Sequence, residues 1–184
     1  MAAAGGSAAP ASASGYVVTT RGNRVSRAAH LAGSQFIKLQ GKSILRSGVV
    51  VRGDLAPVSI GRYCHLADNC VVRPSYKRFA SGFKFIPVSV GDYTSVGEGA
   101  VVCAAALGAC VSVGAGAVVG ARAIIKDCCV VEAGAVVAAD AVVPPFTRVA
   151  GVPARAVGEL REGWGEQATE EARARFDALS KVLV

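Results

Sequence analysis

The chain has 184 residues, 52% of them hydrophobic and only 6% aromatic, which bounds it to one domain with a largely aliphatic core; no uninterrupted apolar run reaches membrane-spanning length, which argues against direct membrane insertion. Its formal charge of +7 is lopsided: residues 1–89 hold twelve Lys and Arg against Asp54 and Asp68 alone, while the remainder holds eight against eleven acidic residues. That imbalance fits docking between subunits, nucleic acid or an anionic membrane, but no helix-turn-helix or RNA-binding signature accompanies it, so nucleic acid is set aside.

Residues 1–15, MAAAGGSAAPASASG, are a low-complexity head predicted to be disordered. They lack the charged start and long apolar run of a secretory signal. The absence of acidic residues before Asp54 fits a mitochondrial presequence, yet the first basic residue is Arg21, so the opening stretch lacks the arginines such peptides use. Residues 16–48 read as short strands with a turn at Gly22-Asn23. A repeat then becomes firm at Val58, Ile60, Leu66 and Val72.

Between Val72 and Val90 the repeat stops. The segment RPSYKRFASGFKFIPVS crowds Tyr76, Phe79, Phe83 and Phe85 beside Lys77, Arg78 and Lys84. These seven residues, in an inserted loop over 74–87, are the candidate partner-binding site, because surface aromatics beside cations mark contacts. The alternative is a flap that folds back to cap an edge.

From Val90 the repeat resumes. An aliphatic residue recurs at Val90, Val96, Val102, Leu107, Val113, Val119, Ile125, Val131, Val137 and Val143, at six-residue steps except the five from Val102 to Leu107. A small residue follows four positions later, as at Ala100, Ala117, Ala123 and Ala135. Alternation along a strand turns one large and one small residue of each six inward, and three hexapeptides close one coil of an all-β solenoid, a parallel β-helix. Glycine often follows the aliphatic, as at Gly91, Gly97 and Gly114, where it is expected to relieve an unusual φ. A buried α-helix would need a 3.6-residue period, which these residues lack. The β-helix is expected over 16–157. Residues 158–184 form a tail and a C-terminal α-helix from about Thr169, its predicted N-cap, with Ala172, Phe176, Leu179 and Leu183 as one apolar stripe.

Six cysteines are present. Cys64, Cys70 and Cys129 fall at the small inward position, where a thiol acts as a compact hydrophobe. Cys103, Cys110 and Cys128 occupy other phases, no CxxC pair exists, and adjacent Cys128 and Cys129 point to opposite faces. Reduced thiols are expected.

The segment VVVRGDLAPVSIGRYCHLADNCVVR at 49–73 resembles γ-class carbonic anhydrases. That resemblance places their three zinc-binding histidines at Arg73, Glu98 and Cys103; none is histidine, and a fixed cation at Arg73 would oppose a divalent metal. GVPAR at 151–155 resembles the exit motif of hexapeptide acyltransferases, whose histidine base could fall only at His65, an outward residue beside inward Leu66; His30 precedes the clear repeats. Arg52 and Asp54 read as a structural ion pair. Catalytic residues, metal and cofactors are therefore expected to be none, and structural roles are assigned to Val90, Val96, Val113, Val119, Ile125 and Val131.

Taken together, GNRVSR at 22–27, GSQFIKLQGKSI at 33–44, RGDLAPVSIGRYC at 52–64, VVRPSYKRFASGFKFIPVSVGD at 71–92, KDCCV and VPPFT resemble the dynactin subunit 5 family. The resemblance covers about residues 16–160 and departs from the family in the Ala/Gly/Ser-rich head and in GVPAR. It implies a left-handed β-helix and a non-catalytic subunit of the dynactin pointed-end complex in cytoplasm and cytoskeleton. The implied partners are dynactin subunits 4 and 6, the pointed-end actin-related protein and cargo adaptors. Two other readings share the fold: a γ-carbonic-anhydrase-like subunit of mitochondrial complex I, and an acyltransferase.

Overall fold

The structure, a computed structural model, describes residues 15–183, so the head expected at 1–15 lies, but for Gly15, outside the described residues. Six coils of left-handed parallel β-helix carry three sheets, one per face, with a C-terminal helix along one of them. The first face stacks Arg24–Ser26, Ile44–Leu45, His65–Leu66, Ser95–Val96, Ser112–Val113, Val130–Val131 and Thr147–Ala150. The second runs from His30–Ala32 to Val136–Val137, and the third from Ile37–Gly41 to Val142–Val143.

Most strands from Leu66 onward are two residues long, the first outward and the second buried. In-register pairing stacks the buried residues into columns. Leu45, Leu66, Val96, Val113, Val131 and Val149 form one column; Val51, Val72, Val102, Val119 and Val137 form the next. Ile60, Val90, Leu107, Ile125 and Val143 form the third. All are buried, as are the small residues Ala100, Ala117, Ala123, Cys64, Cys70 and Cys129 at the corners. The six-residue phase read from sequence is thus the phase of the core. Branched side chains suit it because their stiff χ1 packs on a pleated surface, and each fully buried aliphatic contributes about 1.5–3 kcal/mol.

The glycines after the aliphatics have a different cause from the expected one. Gly91, Gly97 and Gly114 are absent from the residues with positive φ. A Cβ at Gly97 would stand 2.5 Å from the Ala115 nitrogen, and one at Gly114 2.4 Å from that of Ala133. Close approach between coils excludes any side chain there. The left-handed turns sit elsewhere, and at one corner they are held by non-glycine residues: Lys42, Tyr63, Tyr93, Cys110, Cys128 and Phe146, with φ between 52° and 59°. Such residues are uncommon in this region and mark positions whose side chains have work to do.

The C-terminal helix spans Trp164–Val182 and therefore begins five residues before the expected start. Thr169 is no N-cap: it lies inside the helix and its hydroxyl donates to the Gly165 carbonyl at 2.8 Å. Ala168 and Trp164 extend the apolar stripe backwards, while Gly163 and Gly165 hide it from propensity. The helix lies over the first face beside the left-handed corner. Phe176 meets Tyr63 edge-to-face at 5.7 Å, Arg173 Nη2 donates to the Tyr93 hydroxyl at 3.2 Å, and Arg24 Nε donates to Ser180 Oγ at 2.9 Å. No helix among the described residues is long and apolar enough to cross a membrane.

Val113→Asp or Val119→Asp should melt the solenoid locally, because an unpaired carboxylate inside an aliphatic column costs at least several kcal/mol. Circular dichroism and thermal melting check this, and wild-type behaviour in both variants would contradict the column assignment.

Candidate functional site

The segment that breaks the repeat is an antiparallel hairpin, Ser75–Phe79 paired with Gly82–Ile86, leaving the solenoid between the second and third faces of the third coil. Tyr76 pairs with Phe85, Lys77 with Lys84 and Arg78 with Phe83. Strand alternation therefore splits the seven candidate residues into two groups instead of one patch. Tyr76, Arg78, Phe83 and Phe85 share one side; Lys77, Phe79 and Lys84 share the other.

On the first side three rings interlock edge-to-face, Tyr76 and Phe83 at 6.3 Å, Tyr76 and Phe85 at 6.2 Å, Phe83 and Phe85 at 6.1 Å. With Arg73, Arg78 and Gly82 they line an open cavity of about 560 Å³. Phe83 is 70% exposed and Tyr76 56% exposed, large values for rings left to water. On the second side Lys77 and Lys84 oppose each other directly, an arrangement that destabilises a hairpin unless an anion offsets it. Lys77 Nζ also lies over the Phe79 ring, 5.9 Å from its centroid.

The hairpin is anchored at its base. Ser75 is buried, and its hydroxyl accepts from the Arg122 backbone N–H at 3.1 Å. Arg122 Nη1 donates to the Tyr76 carbonyl at 2.8 Å, while Nε donates to Asp140 Oδ1 at 2.7 Å. The guanidinium thus clamps a hairpin from coil three to coils five and six, passing over coil four, whose corner is the five-residue step from Val102 to Leu107. Its neighbour Arg122 holds the Asp140 carboxyl below its usual pKa. The hairpin is therefore both anchored along the edge and open on its aromatic side.

The other sequence candidates fall apart in space. Arg52 and Asp54 form a two-point ion pair, Nε to Oδ1 at 2.8 Å and Nη2 to Oδ2 at 2.7 Å, within one corner of one coil. Arg73 and Cys103 are neighbouring rungs beside the hairpin, whereas Glu98 lies across the second face at a different corner. These residues do not fit a metal: a guanidinium occupies one position, and the carboxylate is separated from the thiol by a strand. Among the described residues no three His, Cys, Asp or Glu side chains gather.

His65 points outward from the first face, but the helix covers it. Burial pushes its pKa down to about 4, and Arg175 and Arg46 add to the shift against Asp68. Nε2 is buried without a hydrogen-bond partner among the described residues. A general base must reach the proton it takes, and here a helix covers the ring.

Sequence reasoning missed the seat of that helix. Tyr63 and Tyr93 stack with centroids 5.5 Å apart, and the Arg173 guanidinium lies 5.9 Å and 5.6 Å from the two ring centroids. Further along the same corner, Cys110 and Cys128 lie under the first helical turns. Their eighteen-residue separation, three hexapeptides, was the available signal.

Comparison with known proteins bears on what such a scaffold does. The family model for dynactin subunit 5 matches residues 10–181. The chain belongs to the dynactin subunit 5 family. A dynactin subunit 5 from Dictyostelium discoideum is 46% identical over 94 residues, 51% of this chain and 48% of that protein, so the match spans about half the length of that relative. A protein of Methanocaldococcus jannaschii described as a probable carbonic anhydrase is 42% identical over 134 residues, 73% of this chain and 79% of that one. Among solved structures, a hexapeptide transferase family protein from Anaplasma phagocytophilum superposes with a TM-score of 0.67 at 23% identity, covering 88% of this chain and 93% of that one. An N-acyltransferase from Bacillus cereus superposes at 0.58 with 13% identity, covering 88% and 92%. At such identities these two structures speak for the fold alone.

The half-buried His65 gives this dynactin subunit 5 family member a testable pH dependence. Its folded pKa of about 4 lies below the value of about 6.5 in an unfolded chain, so the unfolded state binds the extra proton first. The fold is fully favoured above pH 6.5 and loses up to about 3 kcal/mol as pH falls towards 4. Melting curves across that window should show the loss in wild type and a flatter profile in His65→Gln.

Proposed function

We propose that this chain is a non-catalytic subunit of dynactin, held in its pointed-end subcomplex with dynactin subunits 4 and 6 and the pointed-end actin-related protein. In that place it supports dynein-driven transport along microtubules and attachment of cargo such as endosomes, in the cytoplasm and on the cytoskeleton. Family membership supports the dynactin role. The observation that carries the docking reading is the hairpin at 75–86, which interrupts an otherwise regular solenoid to present exposed rings and cations.

The chemistry at the carbonic-anhydrase positions supports a non-catalytic role. Arg73 places a permanent positive charge where a metal would need a donor, and Cys103 beside it has its pKa raised by burial, which disfavours the thiolate a metal would bind. Metal analysis of the purified protein should find no stoichiometric zinc. Near-stoichiometric zinc together with CO2 hydration would overturn the non-catalytic reading.

The two sides of the hairpin separate docking from capping. Tyr76→Ala with Phe83→Ala removes two exposed rings, and aromatic anchors at interfaces each contribute roughly 2 kcal/mol or more. Assembly with co-expressed partner subunits should weaken while the melting temperature stays near wild type. Lys77→Glu with Arg78→Glu should weaken assembly in a salt-sensitive way. Normal assembly with a lowered melting temperature in the ring variant would make the hairpin a cap and remove it as a docking element.

A further inference from the structure

We propose that Cys110 and Cys128 are a modifiable dithiol, joined into a disulfide by hydrogen peroxide and gated by the C-terminal helix. Both hold the same left-handed corner position, with φ of 57° and 56°, on successive coils. The Cys128 N–H donates to the Ala109 carbonyl at 2.8 Å, which fixes the register between the two corners. Equivalent residues one coil apart lie about 4.8 Å from each other. That falls within the Cα separation of roughly 4.4–6.8 Å that a disulfide accepts. The two side chains are near enough for Cys110 to help hold the Cys128 thiol protonated.

No other pair of cysteines has this relation. Cys64, Cys70 and Cys129 point into the core and are fully buried. Cys103 stands on another corner, between Arg73 and Gly120 as its rung neighbours.

The helix closes over the pair. The Cys110 thiol donates to the Gly165 carbonyl at 3.6 Å and lies 3.7 Å from Thr169 Oγ1. Gly165 has no side chain, and a Cβ there would stand 3.2 Å from Cys128 Sγ. Trp164, the chain's one tryptophan, lines the same small cavity as Cys110, Tyr93 and Arg175. With the helix in place the Cys110 thiol is engaged by Gly165 and Thr169, and burial pushes the Cys128 thiol up to about 11, so neither sulfur is free to react. Reaction therefore follows local undocking of the helix.

The chemistry balances with peroxide as the oxidant. The Cys110 thiol gives up its proton, its sulfur attacks one peroxide oxygen, the O–O bond breaks, and a sulfenic acid forms as the departing hydroxide takes that proton and leaves as water. Cys128 sulfur then attacks that sulfenic sulfur, the S–O bond breaks, a second water leaves, and the S–S bond forms. Two electrons pass from the sulfurs to peroxide. The bridge removes the Cys110 S–H that reaches Gly165 and Thr169, so the first turns of the helix loosen and Trp164 gains access to water.

The reduced full-length chain is exposed to hydrogen peroxide, quenched with iodoacetamide and read by intact mass, peptide mapping and tryptophan emission. The expected result is loss of two hydrogens, a Cys110–Cys128 linked peptide and a red shift of Trp164 emission, all reversed by dithiothreitol. Cys110→Ser and Cys128→Ala, each checked for folding by circular dichroism, should abolish both link and shift. Phe176→Ala, which loosens the helix on Tyr63 away from the thiols, should bridge about fivefold faster. A first bridge involving any other cysteine, sulfinic acid without a bridge, or an unmoved Trp164 emission after bridging would overturn the proposal. An unchanged rate in Phe176→Ala would overturn the gating.

Discussion

Backbone hydrogen bonds running along the solenoid axis set each side chain above its equivalent one coil away. Ser95 donates to Val111 and Val101 to Ala117, while Cys110 donates back to Asp92, so neighbouring coils are tied in both directions. With the backbones locked at strand spacing, whatever stands at one position meets its own kind above and below. Valine on valine gives a dry column, alanine on alanine gives a corner, and glycine is compelled wherever a Cβ would strike the next coil. Stability here is close to a sum of coil and interface contributions.

The same stacking organises the outer surface. At the left-handed corner it lines up Lys42, Tyr63, Tyr93, Cys110, Cys128 and Phe146 as a second, external column. That column is the seat of the helix: two stacked tyrosines take Phe176 and Arg173, and two thiols take Gly165 and Thr169. The hairpin uses another corner and another device, the Arg122 clamp across three coils. Helix and hairpin leave the scaffold from different edges, so a partner can engage the exposed rings without touching the helix contacts described here.

The core was legible because its signal repeats. Ten aliphatics from Val90 to Val143 announce the same inward position, and every one of them is buried. The hairpin was legible as a break in composition, but its two sides were not, because nothing in a list of aromatic and basic residues states where the turn falls; the Phe79–Gly82 pairing decides it. The helix start was obscured by Gly163 and Gly165, which lower local propensity, although at 165 a Cβ would crowd Cys128 Sγ at 3.2 Å. Glycines such as Gly97 were visible as a pattern, but their cause was not, since a clash with Ala115 eighteen residues away leaves no local trace. Burial of His65 depends on that same distant helix.

The helix and the external column also form a pair of rulers. An α-helix climbs about 1.5 Å per residue and closes a turn in about 5.4 Å, whereas the coils rise about 4.8 Å each. Thr169, Arg173 and Phe176, three or four residues apart, accordingly meet Cys110, Tyr93 and Tyr63 on successively earlier coils, and Ser180 reaches Arg24 two coils further on. The two scales differ by about 0.6 Å per turn, so over five turns the mismatch grows to about 3 Å, more than half a coil. A straight helix can stay in step with such a column for only a few turns. Commensurability of the two periods therefore limits how long a docked helix this scaffold can hold in register, and the 19-residue helix is near that length.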